Sequence, residues 1–170
     1  MFAKEAFSVS SYYDSAIWGY FDGGEGDELR ISVNEYKQMR YGENPHQSGR
    51  FYGDLEKLFD QLHGKEISYN NLLDIDAAIG VIADFNSKPT IAILKHNNAC
   101  GLAERDSLTD AWNDALAGDP ISAFGGIIIS NQTIDEAAAA GMDKIFFEVV
   151  LAPGFTNEAL WAMGFSEEQG

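Results

Sequence analysis

Six residues near the middle of the chain, Thr90-Ile91-Ala92-Ile93-Leu94-Lys95, constrain its fold more than any other segment. Successive side chains of a strand point to opposite sides of a sheet. Four apolar residues in a row therefore leave no polar face, and the strand must be covered on both sides by helices. Its end has the opposite character. Lys95 and His96 are ionisable, and they lead into a polar stretch, Asn97-Asn98-Ala99-Cys100-Gly101, that reads as a small loop.

Gly126 to Ser130 is a second buried strand, and Phe146 to Leu151 a third strand. Between and around them lie helical segments. Ser68 or Asn70 caps a helix running to about Phe85, and Ser107 opens one that Gly118 ends. Thr133 and Glu136 make a capping box for an Ala-rich helix, and Thr156 to Met163 forms a last one. Alternating strands and helices predict an α/β fold with right-handed crossovers and a mostly parallel sheet. Ligands of such sheets sit at the carboxyl ends of strands. That rule selects Lys95-His96, Ser130-Asn131 and Ala152-Pro153-Gly154. Upstream, residues 2–20 read as an aromatic amphipathic helix suited to covering a partner, followed by a Gly- and acid-rich linker to residue 28. A short strand or extended piece is expected around Leu29 to Val33, and a short helix over Leu55 to Leu62.

Composition removes several function classes. A formal charge of −16 argues against a general nucleic-acid or anionic-membrane binder. The single cysteine, Cys100, excludes an internal disulfide, and the charged start of the chain does not read as a signal peptide. Both features point to the cytoplasm. No Walker loop, GxGxxG or CxxC is present, and the histidines are spread too widely for a zinc site, so no metal is predicted.

The polar loops carry the chemistry. A lysine can neutralise an oxyanion and a histidine can take a proton near neutral pH. A strand-end lysine in solvent and a loop-capping histidine would produce the same letters. Arg40-Tyr41-Gly42 can clamp an anion and stack on a heterocycle, or simply pair with one of many carboxylates. Ser122-Ala123-Phe124-Gly125-Gly126 lets a ligand approach the backbone, or is a tight turn. Asn44-Pro45-His46-Gln47 is compatible with either kind of role, and Cys100 reads as a structural thiol.

Four of these segments occur together in a familiar order. Arg40-Tyr-Gly-Glu-Asn-Pro-His-Gln47, Ser68-Tyr-Asn-Asn-Leu-Leu-Asp74, Leu94-Lys-His-Asn-Asn-Ala-Cys-Gly101 and Asp119-Pro-Ile-Ser-Ala-Phe-Gly-Gly126 resemble the formyltransferase domain of the bifunctional purine-biosynthesis enzymes. Those enzymes join AICAR transformylase to IMP cyclohydrolase. The resemblance runs from about residue 3 to residue 163. It implies a three-layer α/β/α fold of the cytidine-deaminase-like kind, without zinc. It also implies a homodimer and formyl transfer from 10-formyltetrahydrofolate to the amine of AICAR, giving FAICAR. By motif, Lys95 and His96 match the catalytic pair, the histidine as general base and the lysine as a transition-state stabiliser. Arg40 and Tyr41 match nucleotide-holding residues, Phe124 and Gly125 the loop that approaches the nucleotide, and Glu148 an acidic residue near the aminoimidazole. Asn97, Asn98 and Gly101 support the pair.

Chains of that family are much longer. The resemblance therefore implies that residues 29–170 are the first half of the formyltransferase domain, preceded by a helix and linker over residues 1–28. On that reading the folate-site residues and further nucleotide contacts lie in a second half, and the chain alone is inactive. The alternative is a non-catalytic nucleotide-binding or structural remnant.

Overall fold

The computed structural model describes residues 2–24, 26, 28–33 and 35–165. The apolar segment Thr90–Lys95 is strand β3, and all but its last residue are buried. It pairs on both edges. One neighbour is β4 (Asn98–Glu104) and the other is β5 (Gly126–Ser130), which is followed by β6 (Phe147–Leu151) in a sheet of order β4-β3-β5-β6.

Side-chain alternation divides the core in two. Ile91, Ile93 and Ile128 face a cluster formed with helices α3 (Leu108–Gly118), α5 (Glu136–Met142) and α6 (Asn157–Ala162), in which Trp112 is 1% exposed. Ala92, Leu94, Ile127 and Ile129 face Ile75 and Ala78 of α2 (Tyr69–Ile82). The chain thus has a mixed α/β fold with helices on both faces of the sheet. Burying side chains such as these stabilises a fold by about 1.5–3 kcal/mol each.

The expected parallel sheet is corrected. Both pairings of β3 are antiparallel, and only β5 and β6 run parallel. The cause is the stretch after Lys95. It is no loop but a two-residue turn into β4, where Asn98 pairs with Lys95. A hairpin needs no crossover, so α3 follows β4 rather than β3. One consequence concerns the candidate ligand sites. Because β5 and β6 run opposite to β3, Ser130-Asn131 and Ala152-Pro153-Gly154 lie at the far end of the sheet from Lys95. Asn131 is structural there. Its carbonyl accepts from Thr90 N at 2.8 Å, and its amide donates to the carbonyls of Phe85 at 2.9 Å and Lys88 at 2.8 Å.

Other elements shift by small amounts. Ser68 caps α2 in a reciprocal box with Asn71. The Ala-rich helix is capped by Asp135, whose carboxylate accepts from Ala138 N at 2.9 Å, not by Thr133. Ile134 is tied into a bridge with Phe155, which keeps the chain extended until Asp135. Of the two alternatives for Leu29 to Val33, the strand does not form. The pairing partner available lies later, in a hairpin of β1 (Tyr36–Gln38) and β2 (Arg50–Tyr52). A single 3₁₀ turn, Leu55–Lys57, replaces the expected short helix. The N-terminal helix α1 (Phe2–Asp22) forms as expected and has no buried residue.

Gly101 shows how tightly the hairpin is pressed on α3. A Cβ at that position would lie 1.8 Å from the Ala115 carbonyl oxygen, which is backbone and cannot rotate away. Gly101→Ala is expected to lower stability by about 1–3 kcal/mol, read as a reduced urea midpoint with an unchanged m-value.

Candidate functional site

The end of the sheet where β3 finishes and β5 and β6 begin gathers most of the candidate residues. β3 ends in a reversal whose two central residues, His96 (φ 52°) and Asn97 (φ 62°), both adopt left-handed backbone. This is the signature of a type I′ hairpin turn, which matches the twist of the strands it joins. Left-handed backbone costs a non-glycine residue roughly 1–2 kcal/mol. Turns of this type favour Asn-Gly or Asp-Gly, so the histidine is the unusual residue here, and strain of this sort concentrates at functional positions. His96 is exposed, and among the described residues nothing hydrogen-bonds its imidazole.

Lys95 is half-buried on the side of the sheet that carries α3. Its ammonium donates to the Phe124 carbonyl at 2.7 Å. Phe124 ends the short helix α4 (Pro120–Ala123), and Gly125 follows with φ 72° and donates its N–H to the Phe146 carbonyl at 2.8 Å. The left-handed φ favours glycine here; the space would admit a Cβ, which would meet Lys95 Nζ at an ordinary contact distance of 3.8 Å. The exposed rings of Phe124 and Phe146 lie 5.5 Å apart, centroid to centroid, beside this contact. Asp119 anchors the loop from its other end. Its carboxylate accepts from the Ser122 hydroxyl at 2.6 Å, from Ser122 N at 3.0 Å and from Ile121 N at 3.2 Å. These bonds, led by the Ser122 hydroxyl, hold the Asp119 carboxyl below the ordinary carboxylate range. Cys100 is half-buried nearby; burial, followed by the charge of Asp119, pushes its thiol up, as suits a structural rather than a nucleophilic cysteine.

Glu148 belongs to β6 at a point where the pairing with β5 skips a residue. Gly126 faces Phe147 and Ile127 faces Val149, so Glu148 is the extra residue of a bulge. Its carboxylate accepts from Asn71 Nδ2 of α2 at 2.7 Å.

Arg40 and Tyr41 occupy the loop between β1 and β2. This loop is closed by bonds from Gly42 N to Gln47 O at 2.9 Å and from Met39 N to Gly49 O at 3.0 Å. Arg40 donates to the Tyr41 hydroxyl at 3.2 Å, and its guanidinium lies 5.0 Å from that ring's centroid. Among the described residues no hydrogen bond joins either of them to Lys95 or His96. Asn70 of α2 donates to the Glu43 carbonyl of this loop at 3.1 Å. His46 is exposed on the same loop.

The family model for the AICARFT/IMPCHase bienzyme matches residues 1–167. The chain belongs to this family. It is 64% identical over 162 residues to the bifunctional purine biosynthesis protein PurH of Bacteroides thetaiotaomicron, covering 95% of this chain and 32% of that protein. PurH of Streptococcus equi subsp. equi is 42% identical over 168 residues, with 93% of this chain and 33% of the relative covered. PurH of Caldicellulosiruptor saccharolyticus is 41% identical over 171 residues, with the same coverage. The chain thus spans about a third of the length of the curated relatives it matches.

Within this member of the AICARFT/IMPCHase family, sequence reasoning missed the part played by α2. Asn70, Asn71 and Asp74 lie on neighbouring turns of one helix and reach three different segments, a loop, a strand and a turn. Asn70 holds the Arg40 loop, Asn71 holds Glu148, and Asp74 Oδ1 accepts from the backbone N–H of Asn97 at 2.7 Å. Three short polar residues at helical spacing beside an apolar stripe were a readable signal of such a helix edge. Of the residues after His96, Asn98 donates its amide to the His96 carbonyl at 2.7 Å, while Gly101 packs on α3 away from the turn. Among the described residues no group of histidine, cysteine and carboxylate side chains could hold a metal, and no helix is long and apolar enough to cross a membrane.

The lowered carboxyl of Asp119 makes a pH-dependent contribution to stability. A depressed carboxylate stabilises the fold fully above its unfolded value, about pH 4, and loses that effect as pH falls through the folded value. Asp119→Asn should therefore lower the urea midpoint at pH 6, with the difference from the parent shrinking as the pH drops below about 4.

Proposed function

We propose that this chain is the first half of an AICAR transformylase domain, contributing the proton-transfer end of the site that formylates AICAR from 10-formyltetrahydrofolate. The observation that carries the reading is the bond from Lys95 to the Phe124 carbonyl, which brings two separate sequence motifs to one end of the sheet. An amine conjugated to an imidazole carboxamide is a weak nucleophile, and its attack needs a base and a held geometry. In this reading the amine nitrogen bonds to the formyl carbon and its proton passes to the His96 imidazole. The carbonyl electrons move to oxygen, and the Lys95 ammonium, with one N–H spent on Phe124, turns its remaining donors to that oxyanion. Collapse re-forms the carbonyl, breaks the bond to the folate nitrogen and returns a proton to it. Arg40 takes the nucleotide phosphate, Tyr41 and Phe124 flank the heterocycle, and Gly125 lets it approach the backbone. Glu148 meets the aminoimidazole, while Asn97 and Asn98 hold the turn.

The remaining parts of the reading follow from the same family. The helix–sheet–helix layering suits half of a cytidine-deaminase-like domain, with residues 1–28 as a separate N-terminal helix and linker. Folate contacts come from a second half of the domain. Assembly as a homodimer in the cytoplasm offers cover for the exposed aromatic residues of α1, among them Phe2, Phe7, Tyr20 and Phe21.

A chimaera tests the reading. The stretch of the Bacteroides thetaiotaomicron relative that matches this chain is replaced by residues 1–170, and FAICAR formation is followed directly. The chimaera should be active, and His96→Ala within it should reduce kcat by about 10²–10⁴-fold. The isolated chain should form no FAICAR. A folded chimaera without formyl transfer would favour the remnant reading. Transfer by the isolated chain, abolished by His96→Ala, would remove the half-site part of the proposal.

A further inference from the structure

His96 and Asn97 are the two non-glycine positions with left-handed backbone among the described residues, and they are consecutive. A turn built from such residues needs something outside itself to hold it. The strand pairing beneath supplies part of this, and Asn98 closes on the His96 carbonyl. The remaining hold comes from another element. Asp74 Oδ1 accepts the Asn97 backbone N–H at 2.7 Å. With its amide oriented to satisfy both ends, the Asn97 side chain donates to the same carboxylate at 2.8 Å and to the Leu73 carbonyl at 3.1 Å. Asp74 is half-buried on α2, one residue before Ile75, which anchors that helix on the sheet.

We infer that Asp74 is a positioning residue for His96: it fixes the left-handed turn from α2, so that the imidazole is carried at a set place with its own nitrogens free. The inference rests on the proposed role of His96 and deepens it. Asp74 does not touch the reacting atoms. The carboxylate spends its oxygen on the turn backbone and the Asn97 amide, not on the imidazole, so its contribution is conformational. Removal should therefore cost turnover more than binding. A change that lets the turn adopt left-handed backbone without help should compensate. Asn97→Gly is such a change, because glycine is the residue preferred at the second position of a type I′ turn.

The first measurement uses the chain itself. Asp74→Ala is compatible with the helix, since alanine is the best helix former. Hydrogen exchange of the Asn97 amide should rise by about 10-fold in this variant, while amides in the middle of β3 keep their protection. The second uses the chimaera. Asp74→Ala should lower kcat by about 10–100-fold with KM changed by less than about 3-fold. Asp74→Asn, which keeps an acceptor oxygen, should retain most of the activity. Asp74→Ala combined with Asn97→Gly should recover most of what the single variant lost. Full activity of Asp74→Ala, or no recovery in the double variant, would overturn the inference even if His96→Ala is inactive. Full activity of His96→Ala would sink the proposed role of His96, and the positioning role with it. Unchanged exchange at Asn97 in Asp74→Ala would show that the tether does not hold the turn.

Discussion

The structure depends on a strand that cannot face water on either side. β3 has neighbours on both edges and helices on both faces, and its inner residues are buried to within about a hundredth of their surface. Such a strand is rigid along its length. Whatever lies immediately beyond it starts from a fixed point and a fixed direction. Lys95 is its last residue and His96 the first beyond it. The proposed pair is therefore delivered by a strand buried on both faces, even though the pair itself is polar, with Lys95 half-buried and His96 exposed.

Polar tethers then do what apolar packing cannot do at a surface. The helix α2 is held to the sheet by Ile75 and Ala78, and its polar edge makes separate hydrogen bonds to the Arg40 loop, to Glu148 of β6 and to the His96-Asn97 turn. On the other face, Asp119 caps α4 and the Lys95 ammonium closes on Phe124. Each bond is worth about 0.5–1.5 kcal/mol net, little beside the core. Their value is directional, because each fixes where one segment sits relative to β3. The bulge at Glu148 works in the same way: Val149 packs on the α2 side, and the extra residue beside it is aimed there too.

Much of this arrangement was legible in the residues. The buried strands, a cap at Ser68 or Asn70, the helix opened by Ser107 and the polar strand end at Lys95-His96 all follow from local patterns, since burial and capping act over a few neighbouring positions. The parallel sheet did not follow. Asn97-Asn98-Ala99-Cys100-Gly101 has the composition of a loop, and nothing local marks Ala99 to Glu104 as a strand against β3. That pairing is decided by the turn at His96 and by Gly101, which admits α3 at backbone contact. Once the hairpin forms, the ends of β5 and β6 exchange places relative to the expected sheet, and two of the three candidate strand ends move to the opposite side of the molecule.

The four motifs by themselves determined the family, because motif order and residue type are properties of the chain and need no coordinates. They also named the side chains to which acid-base and anion-binding roles are proposed. Only the tertiary structure decided which of them meet. Lys95, Phe124 and Gly125 converge, Glu148 and the His96 turn are braced from α2, and Arg40 and Tyr41 stay on a loop that α2 holds through the Glu43 carbonyl. The physical reason is that convergence is set by strand direction and helix docking between residues tens of positions apart. No short-range pattern in a sequence encodes either of these.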